Sequence, residues 1–281
     1  MKPILIIHGG AGGAFLAKGT SGVGRGNVQR KIARILRLAY QKLSQTNSLE
    51  AVTYAVRLLE DDPHFNAGTG SQLQADGRAR LSASIMDGAR KRFAAVINLE
   101  KIKNPILVAR ALLEKKDRVL AGTGALKFAK KLGFKTFDTR TPPSIRRWKM
   151  HSKKVQSYDT VGACALDSFG NLASATSTGG RGWEWPDRVS DSGMPVANYA
   201  DERCAISATG IGEEIIEEGL ALKIATRIQD GMSLSKAFRK TFAEIRTRGK
   251  RMGAIGLDSK GNLAHLSTTE ILTWGQRLGE T

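Results

Sequence analysis

At 281 residues with 41% hydrophobic content, the chain is long enough for one large or two small domains with a sizeable core, and no apolar run reaches the length of a membrane span. Its two cysteines, Cys164 and Cys204, lack metal-ligand spacing and read as small buried hydrophobes, which argues against a disulfide-built or zinc-built fold. The net charge of +18 is uneven: residues 1–159 hold 30 Lys and Arg against 11 Asp and Glu, whereas residues 160–281 hold 14 against 15.

The apolar run Ile4 to Ile7 predicts a buried strand; it is too short for a signal-peptide core, so a cytoplasmic location is expected. Asn27 to Gln45 has helical apolar spacing through Val28, Ile32, Ile35, Leu36 and Ala39. Ser48 then reads as the N-cap of a second helix carrying Leu49, Val52, Val56 and Leu59 on one side. Ala79 to Met86 and Phe93 to Leu99 predict two strands around an Asp87-Gly88 turn, and Asn104-Pro105 opens another helix. Thr141-Pro142-Pro143 reads as a break, followed by an exposed basic linker from Ser144 to Asp159. The basic excess between Lys127 and Lys154 could meet a polyanion, but no nucleic-acid motif accompanies it, so a solvated helix face and linker is the preferred reading.

Beyond the linker the chain repeats itself. Residues 162–173 (Gly-Ala-Cys-Ala-Leu-Asp-Ser-Phe-Gly-Asn-Leu-Ala) reappear at 253–264 as Gly-Ala-Ile-Gly-Leu-Asp-Ser-Lys-Gly-Asn-Leu-Ala. Each predicts a hairpin through an Asp-Ser-x-Gly-Asn turn, and the pair is expected to lie side by side in one sheet. Gly212 to Gln229 and Ser233 to Ile245 have helical periodicity between them. Strands and helices segregated in this way predict an α+β sandwich rather than a parallel βαβ sheet.

Thr160, in Asp159-Thr160-Val161-Gly162, carries the chemistry. A threonine hydroxyl is a weak nucleophile unless a base adjoins it, and a threonine freed at a chain terminus brings its own α-amine. That amine has a pKa of about 7.7–8.0, so a useful fraction is unprotonated near neutrality. Scission between Asp159 and Thr160 would thus turn a precursor into an enzyme.

Together the motifs make the chain resemble the plant-type L-asparaginase and isoaspartyl peptidase family of N-terminal nucleophile hydrolases, over nearly its whole length. They are Ile7-His8-Gly9-Gly10-Ala11-Gly12, Phe65-Asn66-Ala67-Gly68-Thr69-Gly70, Met86-Asp87-Gly88, Asn104-Pro105 and Asp159-Thr160-Val161-Gly162. Thr176-Ser177-Thr178-Gly179-Gly180, Arg188-Val189-Ser190-Asp191 and Thr209-Gly210-Ile211-Gly212-Glu213 complete the order. The resemblance implies a single four-layer αββα domain, cleaved into an α subunit (1–159, with 144–159 as a flexible linker) and a β subunit (160–281). The resulting pairs are expected to dimerise.

The implied activity is hydrolysis of β-aspartyl (isoaspartyl) dipeptides and L-asparagine. By resemblance Thr160 attacks, Thr178 orients its hydroxyl, Thr209 and the Gly210 N–H stabilise the oxyanion, and Asn66 reaches the reacting region from the other subunit. Arg188 would take the substrate carboxylate through its planar fork, and Asp191 with the Gly212 carbonyl the α-ammonium. The main chain of a loop at Leu59, Glu60, Asp62, Phe65, Ala67 and Thr69 would hold a structural sodium ion; no catalytic cofactor is implied. His8, His64, His151 and His265 lack metal spacing, and His8 reads as part of a glycine-rich entry turn.

Asp159 (where glycine is common in the simple asparaginases), Ser82, Thr123 and Ile211 depart from the family pattern and bear on substrate preference. Pocket size is expected to depend on Ile211, Arg181, Trp183 and Trp185. The competing readings are an aspartylglucosaminidase-like amidase, a threonine aspartase-like protease, and an uncleaved basic relative that binds nucleic acid.

Overall fold

The computed structural model describes residues 1–11, 22–150 and 159–279. The first strand, β1 (Ile4–Ala11), runs further than its apolar core predicts, so His8 lies in a strand and not in a turn. Helices α1 (Gly22–Gln45) and α2 (Ser48–Asp61) follow. Asn47, not Ser48, caps α2: its side chain accepts the Glu50 N–H at 3.0 Å, which requires a residue still in extended conformation one position before the first helical one. Strands β2 (Leu81–Asp87) and β3 (Arg92–Leu99) form the predicted hairpin. Helix α3 (Pro105–Leu112), strand β4 (Val119–Ala121) and helix α4 (Gly122–Lys131) complete this half's core elements.

The expected linker is helical at its start. Thr141 and Ser144 cap each other's backbone and Pro142 occupies the first turn of α5 (Pro142–Lys149). Proline there has no N–H to lose and its φ is already helical, so the Thr-Pro-Pro run begins a helix where it was read as ending structure. Residues 151–158 of the linker lie outside the described residues.

Strands β5 (Val161–Leu166) and β6 (Leu172–Thr178), then β7 (Asn198–Ala200) and β8 (Cys204–Gly210), lead into α6 (Gly212–Glu218) and α7 (Leu220–Gln229). The single helix expected over 212–229 is divided at Gly219, whose φ of 59° is left-handed. Helix α8 (Leu234–Thr247) and strands β9 (Met252–Asp258), β10 (Leu263–Ser267) and β11 (Leu272–Leu278) finish the chain.

Two sheets result, a seven-stranded one in the order β11-β1-β5-β6-β2-β3-β4 and a four-stranded one in the order β10-β9-β8-β7. The two similar hairpins therefore fall in different sheets, β5–β6 in the larger and β9–β10 in the smaller, contrary to the expectation of one shared sheet. A turn motif specifies how two strands join but not which sheet their free edges find.

Helices α1 to α4 cover one face of the large sheet, its other face packs on the small sheet, and α7 and α8 cover the far side of the small sheet. This is the four-layer αββα sandwich. Strand alternation assigns side chains to the layers. Val161, Ala163 and Ala165 join the core under the helices, while Cys164 and Leu166 join the core between the sheets. Thr160, Gly162, Thr176 and Thr178 share the second parity and face the small sheet.

Candidate active site

Thr160 sits at the start of β5, buried, at one end of the space between the sheets. Across that space its main-chain N–H points to the Thr209 hydroxyl on β8, at 3.3 Å. The peptide from Asp159 is intact, and its carbonyl oxygen is held from two sides: by Asn66 Nδ2 at 2.9 Å and by the Thr178 hydroxyl at 3.4 Å. In this uncleaved chain the Thr178 hydroxyl is thus directed at the carbonyl before Thr160 rather than at the Thr160 hydroxyl.

Asn66 is fixed by its own neighbours. Its amide also donates to the Gly180 carbonyl, its Oδ1 accepts the Gln72 N–H at 3.0 Å, and its carbonyl accepts the Gly179 N–H at 2.9 Å.

Two glycines let the chain close up here. A Cβ on Gly162 would fall 2.0 Å from Ser207 Oγ and 2.4 Å from His8 Nε2. One on Gly212 would fall 2.6 Å from the Arg188 guanidinium and 2.8 Å from Asp191 Oδ1.

Asp159, Thr160, Thr178, Arg188, Asp191, Gly210 and Gly212 line one cleft, with Arg181 and Ile211 at its rim. A larger cavity beside Arg78, Lys101 and Phe137, of about 390 Å³ against about 10 Å³ here, contains none of the residues that the sequence motifs single out. Chemistry rather than size identifies the site. Asp191 is almost wholly buried, and its Oδ2 has no hydrogen-bond partner among the described residues. Burial pushes its carboxyl up to about 7, with Arg188 opposing the shift and Glu213 adding to it.

Three residues at the site were missed or misread from sequence. Glu213 receives both Nε and Nη2 of Arg188, at 2.9 and 2.8 Å, so the fork expected to take a substrate carboxylate already has a counter-ion. The motif containing Glu213 was visible, but no spacing rule points it back at residue 188. His8 is buried with Nε2 2.9 Å from Ser207 Oγ, which in turn lies 2.7 Å from the Thr176 hydroxyl. Burial drives the His8 imidazole down to about 3, with the Thr160 main chain opposing, so it stays neutral at physiological pH and ties the two sheets together beneath Thr160. Ser207 had no sequence signal at all.

In the loop expected to hold sodium, backbone carbonyls pack tightly against two glycines. A Cβ on Gly68 would lie 2.5 Å from the Glu60 carbonyl, and one on Gly70 would lie 2.0 Å and 2.8 Å from the Phe65 and Pro63 carbonyls. Glu60 Oε2 and Thr69 Oγ1 are buried without hydrogen-bond partners among the described residues. Such a set of hard oxygen donors, with orphaned oxygens beside it, fits an alkali cation.

The chain as a whole has counterparts among known proteins. The asparaginase family model matches residues 1–281. An isoaspartyl peptidase/L-asparaginase from Nostoc sp. is 40% identical over 100% of this chain and 95% of its own length. A plant-type L-asparaginase from Pyrobaculum calidifontis is 36% identical over 97% of this chain and 96% of its own. An isoaspartyl peptidase/L-asparaginase from Bos taurus is 35% identical, covering 98% and 92% respectively. With the family model matching from end to end and relatives 35–40% identical across nearly the whole chain, this chain belongs to the asparaginase family.

Proposed function

We propose that the chain is a self-cleaving amidohydrolase that acts on β-aspartyl dipeptides and L-asparagine through Thr160. The observation that carries this reading is the grip on the Asp159–Thr160 peptide: Asn66 and Thr178 on its oxygen, Thr209 on its nitrogen. For cleavage, the Thr160 hydroxyl adds to the Asp159 carbonyl. The two donors stabilise the oxygen as it gains charge, and the C–N bond breaks to leave an ester on Thr160 and a free α-amine. Water then hydrolyses the ester. Preorganised donors of this kind are worth roughly 100- to 1,000-fold in rate each.

In the mature enzyme the freed amine takes the Thr160 hydroxyl proton as the oxygen attacks the substrate's side-chain carbonyl. The Thr209 hydroxyl and Gly210 N–H steady the oxyanion, the proton passes to the leaving ammonia or amine, and water releases aspartate. Arg188 and Asp191 hold the head group, the substrate carboxylate sharing the guanidinium with Glu213. Family likeness supports three further parts of the proposal: a dimer of processed pairs, a cytoplasmic location, and a structural sodium ion in the 59–69 loop. A rise in melting temperature with sodium at constant ionic strength tests the last. Among the described residues no helix is long and apolar enough to cross a membrane.

Denaturing electrophoresis with kinetics tests the central claim. The wild-type chain is expected to yield two fragments split before residue 160 on incubation at neutral pH. Thr160→Ala is expected to stay intact and release no ammonia from asparagine; turnover by that variant would sink the mechanism.

A further inference from the structure

We propose that Gln72, Leu73, Trp148 and Trp183 form a leaving-group subsite that selects β-aspartyl dipeptides whose second residue is aromatic or large and apolar. The inference rests on the function proposed above and extends it to the part of the substrate that leaves.

A second cleft, of about 80 Å³, is lined by these four residues together with Arg147, Met150 and Gly182. It adjoins the catalytic cleft along one turn of chain. Gly180 and Arg181 border Thr160, and the next two residues of the same turn, Gly182 and Trp183, border the second cleft. Asn66, which holds the scissile oxygen, is bonded through Oδ1 to the main chain of Gln72. Residues 188–191 and 212 form the proposed head-group clamp, which leaves the 180–183 turn of the same loop to meet the leaving group.

The lining suits a flat apolar guest. The Trp148 and Trp183 rings stack at 5.7 Å with planes 10° apart, and both remain half-buried. Trp148 is pinned by its indole N–H on the Ala75 carbonyl at 3.3 Å. Trp183 adopts a φ of 60°, a conformation bulky residues rarely hold, and its N–H donates to the Leu73 carbonyl at 2.9 Å. Strain of this kind persists where surrounding structure over-determines it, typically at ligand clamps.

One polar group is left over. Gln72 is 5% exposed and lines the cleft, and its amide nitrogen has no partner among the described residues. A buried unpaired donor is costly unless a ligand completes it, and the dipeptide's terminal carboxylate is an acceptor of the right kind. Arg147 on the same wall adds positive charge. Asparagine, which releases only ammonia, has no use for any of these features.

Steady-state kinetics of the processed enzyme on β-aspartyl-phenylalanine, β-aspartyl-leucine, β-aspartyl-glycine and L-asparagine tests the proposal. The phenylalanine and leucine peptides are expected to exceed the glycine peptide in kcat/KM by about tenfold or more, mainly through KM, as burial of one apolar side chain allows. Trp148→Ala is expected to bring that ratio close to one. Gln72→Leu is expected to raise KM for all three dipeptides relative to asparagine. Equal kcat/KM for the phenylalanine and glycine peptides in the wild-type enzyme overturns the subsite while leaving the proposed function standing, and needs no variant to fold. Failure of the wild-type enzyme to hydrolyse asparagine or any dipeptide overturns both.

Discussion

In its proposed role as the ammonium-binding residue, Asp191 combines two demands that pull against each other. To hold an ammonium group it must be ionised, yet burial keeps its carboxyl up at about 7. Because the folded value lies above the ordinary one, Asp191's own contribution to stability is full below about 4 and is lost as pH rises through about 7. Binding has the opposite sense, since the anion is depleted as pH falls. KM for asparagine is therefore expected to rise about tenfold for each unit below 7, while kcat follows the Thr160 amine near its reference value of about 7.7–8.0. Asp191→Asn should abolish the KM limb and leave the kcat limb; pH profiles of the wild type and this variant check this. A KM limb that survives in Asp191→Asn would assign the titration elsewhere. Gly212 belongs to the same balance, because any Cβ there would wedge between Arg188 and Asp191.

At the scale of elements, the two repeated hairpins show how one turn serves two settings. In each, an aspartate accepts N–H groups two and four residues on: Phe169 and Asn171 for Asp167, Lys260 and Asn262 for Asp258. Gly170 and Gly261, at φ of 87° and 85°, supply the left-handed residue that the turn requires. Asp167 does one thing more: its Oδ2 accepts the Ser48 N–H at 3.1 Å, fastening the start of α2 to the turn below it. Asp167→Ala strands the buried Ser48 N–H as well as the part-buried turn donors and is expected to cost about 2–4 kcal/mol, against about 1–2 kcal/mol for Asp258→Ala. Urea denaturation of the two variants compares them, and equal losses would deny the Ser48 link any importance. The turns were readable because Asp-Ser-x-Gly-Asn encodes its geometry locally. The α5 helix is encoded locally too, by Pro142 at its first turn, but a double proline equally marks a stop, and only the Thr141–Ser144 cap decides between them.

Over the whole molecule, the proposed cleavage would divide the chain without dividing the fold. Strand β1, from the first segment, lies between β11 and β5, both from the second. Its central residues Leu5, Ile6 and Ile7 are fully buried. The strand pairing of β2 with β6 joins the two segments again. The two fragments are therefore expected to co-elute on size-exclusion chromatography after cleavage and to separate only in denaturant. Separation under native conditions would contradict the interleaved sheet. It follows that the basic first segment and the nearly neutral second one stay on one particle.

By itself the sequence determined what depends on near neighbours: the helices with clear periodicity, the hairpin turns, the glycine positions, and the motif order that singled out Thr160, Arg188 and Asp191. These are encoded within a few residues, so composition and spacing expose them. Tertiary structure alone decided which sheet each hairpin joined, that His8 meets Ser207 across 199 residues, and that Glu213 reaches back 25 residues to Arg188. It also decided that Asp191 lies in a place dry enough to raise its carboxyl. Those outcomes rest on burial and on which strand edges pair, quantities that arise only when distant segments close around one another.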